Sequence, residues 1–173
     1  LKADIALSGN NNDVKITGNY NTSASSFDLD VAMNQLQMQT LQGFTKNAIV
    51  NTEGYMSGNL KVQGTTKAPS ILGTLKMNNV GMQIAKTGSD FRKINDEIDF
   101  TRRGIEFDDF KINDKDGNSL NIDGQILTQT YRDFAFNLDL NAKDFKVVNS
   151  EKSNDAMLYG ILAIDAALKV RGN

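Results

Sequence analysis

The sequence lacks the side chains on which most enzyme and metal chemistry depends. Its 173 residues contain no histidine and no cysteine. The commonest general base, the commonest metal ligand, thiolate nucleophiles and disulfides are therefore all excluded. Tryptophan is also absent, and proline occurs once. We expect a protein that is not an enzyme and that carries no metal and no other cofactor.

An excess of charge of one sign is also lacking. The chain has 19 basic and 21 acidic residues and a formal net charge of −2. This charge does not attract a phosphate backbone, so nucleic acid is not an expected partner.

The longest apolar stretch, Ala156–Ile164, falls far short of the roughly 20 residues of a membrane-spanning helix. The chain opens on Leu1 without a signal sequence. This predicts one module, residues 1–173, excised from a longer protein.

Apolar residues at alternate positions are abundant. Examples are the runs Phe27–Val31 and Phe134–Leu140, in which every second residue is Phe, Leu or Val. Such alternation predicts strands of an antiparallel sheet with one apolar and one solvated face. Turn-forming residues, such as those of Gly9–Asn12, separate the runs. The sequence therefore predicts an all-β fold of roughly ten to twelve strands.

One segment departs from the alternation. Met33, Leu36, Leu41 and Phe44 fall on one face at helical spacing, which predicts a short helix near residues 33–44. Gly43 is its expected C-terminal signal. The stretch from Leu36 could equally continue a strand.

A short pattern, apolar-x-apolar-x-Gly, recurs four times, ending at Gly18, Gly64, Gly124 and Gly172. The intervals differ, so the pattern does not indicate a solenoid of fixed period. It is typical of a β-meander in which a glycine at the strand end lets the sheet bend or turn. Chance in a glycine-rich β-protein explains it about equally well.

Three blocks of sequence occur in an order that carries a family resemblance. The first runs through Gly54–Thr65 (GYMSGNLKVQGT) and Ala68–Asn78 (APSILGTLKMN), the second spans Ile98–Gly124, and the third joins Phe136–Asn149 to Ala156–Leu162. Together, over residues 34–173, they resemble the C-terminal domain of the TamB family, the inner-membrane subunit of the translocation and assembly module. That family is related to the AsmA-like lipid-transfer proteins. Residues 1–33 match only in their alternation.

The resemblance implies a strongly curved antiparallel sheet, the β-taco, with an open apolar groove. It implies a periplasmic location as part of an inner-membrane-anchored protein. The implied function is to shield lipid acyl chains between the inner and outer membranes and to support outer-membrane protein assembly. The implied partners are phospholipid acyl chains and, through the full-length protein, the outer-membrane barrel of the module.

The residues expected to line the groove share an apolar side chain and belong to the alternating apolar runs. They are Phe27, Leu29, Val31, Leu75, Met77, Met82, Ile84, Phe100, Phe107, Leu120, Ile122, Phe134, Phe136, Leu138, Leu140, Leu162, Ile164 and Leu168.

Without the resemblance, the residues favour a sealed protein core over an open groove. Alternation reports burial and not what covers the face, so a sealed core between two facing sheets fits the pattern at least as well. The rival function is therefore a closed β-sandwich or β-solenoid that serves as a surface module for adhesion or carbohydrate binding. The lack of tryptophan counts against carbohydrate binding, which favours exposed aromatic rings.

Two other features suggest ligand or catalytic sites. Asn113–Ser119 resembles a calcium loop, but aligning Gly117 with the invariant loop glycine puts Ile112 at the first ligand position, so a hairpin turn is the prediction. The acidic groups Asp28/Asp30, Asp96–Asp99 and Asp108/Asp109 could host glycoside chemistry. No base or oxyanion arrangement accompanies them, so we interpret them as solvated surface and turn residues.

Overall fold

The computed structural model describes residues 1–150 and 160–172. Within these residues the chain forms eleven strands and one short helix. The strands are β1 (Lys2–Gly9), β2 (Asn12–Asn21), β3 (Ser26–Gln37), β4 (Ile49–Thr65), β5 (Pro69–Ile84), β6 (Asp90–Ile94), β7 (Glu97–Thr101), β8 (Gly104–Asp114), β9 (Ser119–Leu127), β10 (Ala135–Ser150) and β11 (Gly160–Gly172), and the helix is α1 (Met38–Phe44). The predicted all-β fold is confirmed.

All the described strands belong to one antiparallel sheet in the order β1-β2-β3-β4-β5-β6-β8-β9-β10-β11. Strand β7 pairs with β5 and β8, so β6 and β7 share one strand position in the sheet. Short turns make consecutive strands antiparallel neighbours. At the first turn, Asn10 and Asn11 have φ of 49° and 59°, a conformation that asparagine tolerates and that tight hairpins need.

The strand register aligns the apolar residues across the whole sheet. Cross-strand partners point to the same face. One ladder of such partners crosses every strand position and consists of Ile5, Ile16, Val31, Leu60, Gly73, Phe100, Ile105, Ile126, Phe136 and Gly172. The alternation of the separate strands therefore adds up to one continuous face, which we call the apolar face.

The predicted helix exists but is shorter than residues 33–44. Met33–Gln37 stay in β3, because Leu36 and Gln37 pair with Met56 and Tyr55 of β4. Gly43 lies inside α1 and does not end it. After the helix, Lys46 and Asn47 take the left-handed conformation, with φ of 50° and 64°, and turn the chain toward β4.

A core of buried side chains lies where α1 packs on the apolar face. Met38 of α1, Val80 of β5, Ile94 of β6 and Phe110 of β8 form this cluster, which we call the helix-end core. Ten partly buried apolar residues surround it. We call this end of the strands the helix end and the opposite end, where the β4–β5, β7–β8 and β9–β10 turns lie, the far end.

The recurring glycines lie within strands as well as at strand ends. Gly124 illustrates their effect: it has φ of +114°, and a Cβ there would clash with the backbone oxygen of Asn137. Its partners on the apolar face are Phe107 and Leu138. A glycine is needed at this position because β10 approaches too closely for a side chain.

Candidate functional site

The structure places all eighteen predicted lining residues among its described residues, and all but Phe134 lie in strands. None of the eighteen is fully buried, and Phe134, Phe136, Leu162 and Leu168 are exposed. The apolar face is therefore only partly covered by the described protein. The role of these eighteen residues as a lipid-contacting surface stays a prediction.

Coverage of the apolar face differs along the strands. At the helix end, the predicted lining residues Met77, Met82, Phe107 and Ile122 pack against the helix-end core. Phe107 meets Phe110 edge to face, with ring centroids 5.6 Å apart. These four side chains therefore contribute to the fold as well as to the apolar face.

At the far end of the last two strands the face is open, whereas Phe145 and Val148, nearer the helix end of β10, are buried. Leu140 pairs with Leu168, and Leu138 pairs with Val170. Leu168 has half of its surface exposed, at 51%, although it lies on the same face as the helix-end core. Side chains of this kind can offer a hydrocarbon surface to a ligand.

Phe134 is placed differently from the other predicted residues. It lines a cavity of about 580 Å³ at the far end, together with Arg103, Leu127 and Ala135. Leu127 and Ala135 are cross-strand partners and alternate with Ile126 and Phe136. Phe134 therefore lies beside residues of the opposite strand face and just outside the strands that carry the apolar ladder.

A second cavity contains residues that the sequence analysis did not assign to the site. It has a volume of about 270 Å³ and lies between α1 and the first three strands. Its lining residues are Ile5, Leu7, Val14, Ile16, Val31, Met33, Leu36, Thr40, Leu41 and Phe44. The sequence signal that could have identified them is the alternation of apolar residues in 1–33, which puts Ile5 and Leu7 on one face of β1 and Val14 and Ile16 on one face of β2.

The opposite face of the sheet carries ion pairs. Lys61 of β4 contacts Asp28 and Asp30 of β3, and hydrogen bonds to these carboxylates raise the pKa of Lys61. In β10 and β11, the hydrogen bond from Arg171 lowers the pKa of Asp139. These acids are thus solvated partners of cations, as the sequence analysis interpreted Asp28 and Asp30.

The remaining acidic clusters have structural partners. Asp108 and Asp109 lie at a bulge between Phe107 and Phe110, and the backbone N–H of Asp109 donates to Asp123 at 2.8 Å. Asp96 accepts hydrogen bonds from the backbone of Glu97 and Lys111. The predicted turn or bulge position of Asp108 and Asp109 is confirmed.

Asp114 holds the turn that resembled a calcium loop. Its carboxylate accepts from the backbone N–H of Asp116, Asn118 and Lys146 and from the side chain of Asn118, at 2.9–3.0 Å. Burial alone would raise the pKa of Asp114, but these hydrogen bonds outweigh it and lower the pKa. The protein thus supplies four donors to this carboxylate, and Gly117, with φ of +89°, makes the predicted turn.

The described residues offer neither a metal site nor a membrane-spanning helix. Residues 1–150 and 160–172 contain no cluster of three or more acidic side chains able to hold a metal ion. Over the same ranges, no helix has the length and apolar character needed to cross a bilayer. Tyr159 and the preceding residues from Ala156 of the third resembling block lie outside the described residues.

Comparison with known proteins gives one match. The model of the TamB C-terminal domain matches residues 2–104 and 108–173. No curated protein and no solved structure matches the chain. The family match begins at residue 2, so it includes the first three strands, where the sequence analysis found only shared alternation. The chain therefore belongs to the TamB family and corresponds to its C-terminal domain.

Proposed function

We propose that this domain forms a periplasmic segment of a membrane-associated TamB-like protein, in which the apolar face is the inner surface of a curved, open groove. Lipid acyl chains lie on this surface while they pass between the inner and outer membranes. Family membership supports the broader role in outer-membrane protein assembly. We further propose that the full-length protein contacts the outer-membrane barrel of the module.

The observation that carries this proposal is the partial exposure of a continuous apolar face. One ladder of partners crosses every strand position, yet none of the eighteen predicted lining side chains is fully buried. A soluble protein rarely leaves so extended an apolar surface to water without a ligand or partner.

The energetics of hydrocarbon transfer favour this function. Moving a methylene group from water to an apolar surface contributes about 0.8 kcal/mol. A chain of a dozen or more methylenes would therefore gain on the order of 10 kcal/mol before the cost of ordering it. Met77 and Met82 add adaptable, polarizable contact surface. Such a surface binds acyl chains without a specific headgroup contact, which suits a transfer path.

The topology favours the open groove over the closed sandwich. A sandwich covers its apolar face with a second sheet, whereas the described strands all join one sheet. A face sealed by a partner sheet would also bury Leu138, Leu140 and Leu168 more completely.

The test compares two carboxylates on opposite faces of β10. Leu138→Asp puts a charge on the apolar face, and the matched control Asn137→Asp puts the same charge on the opposite face. We expect native mass spectrometry of bacterially purified protein to show bound phospholipid in the native protein and in the control, and its loss in Leu138→Asp. Thermal unfolding should show a modest change for both variants.

Two results would count against the groove. One is a lipid-free mass for the native protein under gentle conditions, even after phospholipid is added. The other is wholesale unfolding of Leu138→Asp with a stable control, which indicates a sealed core. In cells, a photo-crosslinker at Phe136 should label lipid if the groove is open.

A further inference from the structure

We propose that the cavity between α1 and the first three strands receives the terminal segment of a lipid acyl chain. This inference rests on the proposed function and adds a specific subsite to it, the α1 cavity, lined by the ten residues given above. Val14 in this lining is buried, whereas Leu7 and Phe44 are exposed, so we take Leu7 and Phe44 as the mouth of the cavity.

The lining of the α1 cavity selects for hydrocarbon. Of its described lining residues, nine are apolar and the tenth is Thr40. The hydroxyl of Thr40 lies 3.0 Å from Nδ2 and 3.2 Å from Oδ1 of Asn12, so it already has a partner. A headgroup or sugar would lose its hydrogen bonds to water here without replacement, which is costly. A methylene chain loses nothing of that kind.

The position of the α1 cavity makes it an end point of the apolar face. Val31 belongs both to the cavity and to the ladder that crosses the sheet, so an acyl chain reaches the cavity without leaving apolar surface. Beyond it, Leu41 packs against the helix-end core, and Met38 is only 3% exposed. Because the protein's own side chains occupy that region, the acyl chain has to stop at α1.

The size of the cavity fits part of an acyl chain. Pockets that take a whole drug-sized ligand measure roughly 300–1,000 Å³, so a volume of about 270 Å³ falls below that range. The α1 cavity therefore accommodates a terminal segment and not a whole lipid. Phe44, which is 81% exposed, then gains a hydrocarbon neighbour that the described protein does not provide.

The absence of tryptophan from the sequence gives a direct test. Phe44→Trp puts a single fluorophore at the mouth of the α1 cavity, and the matched variant Leu138→Trp puts one on the same face in β10. Each variant is mixed with phosphatidylcholine carrying bromine, a contact quencher, either near the terminal methyl or near the ester. We expect the terminal bromine to quench Phe44→Trp severalfold more than the ester-proximal bromine.

The outcomes separate this inference from the proposed function. Quenching of Leu138→Trp without quenching of Phe44→Trp overturns the α1 subsite and leaves the groove intact. Equal quenching of Phe44→Trp by both bromine positions also overturns it, because the segment bound there is then not the chain end. No quenching of either variant contradicts the proposed function itself. Fluorescence of Phe44→Trp that responds to protein concentration and not to lipid indicates a second copy of the chain as occupant, and overturns the inference.

A steric variant provides an independent measurement. Leu7→Phe narrows the α1 cavity, whereas Ala6→Phe adds the same ring to the opposite face of β1. Combined with Phe44→Trp, Leu7→Phe should abolish most of the quenching by the terminal bromine, and Ala6→Phe should leave it unchanged. Circular dichroism melting establishes that both double variants fold. Unchanged quenching in a folded Leu7→Phe protein would contradict the subsite.

Discussion

Phe110 and Phe136 lie on the apolar face of the same sheet, yet their surroundings differ sharply. Phe110, at the helix end, is 5% exposed, whereas Phe136, at the far end, is 39% exposed. The difference does not come from residue type, since both are phenylalanines on the same face. It comes from α1 and the strands around it, which cover the helix end. One sheet face thus serves as a protein core in one region and as an accessible apolar surface in another.

The largest expected effect is the difference in the free energy of unfolding between a variant without the Phe110 ring and one without the Phe136 ring. Phe110→Ala leaves a cavity in the helix-end core and should reduce the free energy of unfolding by about 3–5 kcal/mol. Phe136→Ala removes a partly solvated ring without creating a closed cavity, and should cost about 1–2 kcal/mol at most. Urea unfolding of both variants measures the two values. Equal losses would mean that the far end is packed as tightly as the helix end.

Substitution of Asp114 measures how much its hydrogen bonds contribute to the stability of the helix end. Asp114→Asn puts an NH₂ group among four donors and should lower the free energy of unfolding by about 1–3 kcal/mol at neutral pH. The lowered folded-state pKa means that the carboxylate stabilises the fold above its unfolded-state pKa of about 3.9. This contribution is lost as the pH falls through the folded-state value.

The difference between the native protein and Asp114→Asn should therefore shrink below about pH 4. Denaturant unfolding at several pH values checks this. A difference that stays constant down to the most acidic conditions would show that the charge of Asp114 contributes little.

Two glycines should respond in opposite directions to the same substitution. Gly124→Ala forces a Cβ against the backbone of β10 at positive φ and should cost about 1–3 kcal/mol. Gly43→Ala, in α1, meets nothing within 4 Å and should stabilise by about 0.5–1 kcal/mol. Thermal melting distinguishes these signs. A neutral Gly124→Ala would mean that β9 and β10 can move apart freely.

The smallest effect is expected on the solvated face of the far end. Lys61→Met removes the contacts to Asp28 and Asp30, but exposed ion pairs contribute little to stability. The melting temperature should hardly change, and added salt should reduce any difference further. A large loss would require these charges to be held in a rigid, poorly solvated network.

Local patterns in the sequence were sufficient to predict much of this fold. The alternation in Phe27–Val31 and Leu138–Leu140 predicts strands because a strand exposes successive side chains on opposite faces. The turn at Asp116–Gly117 follows from glycine's access to positive φ. The start of α1 was less predictable, because pairing of Leu36 with Met56 extends β3 through residues that also have helical spacing.

The candidate site was only partly predictable, for a related reason. Asn79 and Asp109 adopt φ of 51° and 48° at irregularities in the strand pairing. Such irregularities change which residues of a strand face inward. Val80 and Phe110 follow these positions and are buried. The alternating runs that contain them do not by themselves show how deeply they are buried. The α1 cavity was also missed, since it forms only where the helix comes to lie beside the first three strands.

The sequence by itself determined the strands, their apolar and polar sides, and the all-β class, because these depend on a two-residue period and on local turn chemistry. Only the tertiary structure decided which parts of the apolar face became core and which stayed accessible. That outcome depends on what packs over the face, and the helix-end core joins Met38, Val80 and Phe110, which are far apart in the chain. Burial is a property of the assembled sheet and helix, so no local pattern encodes it.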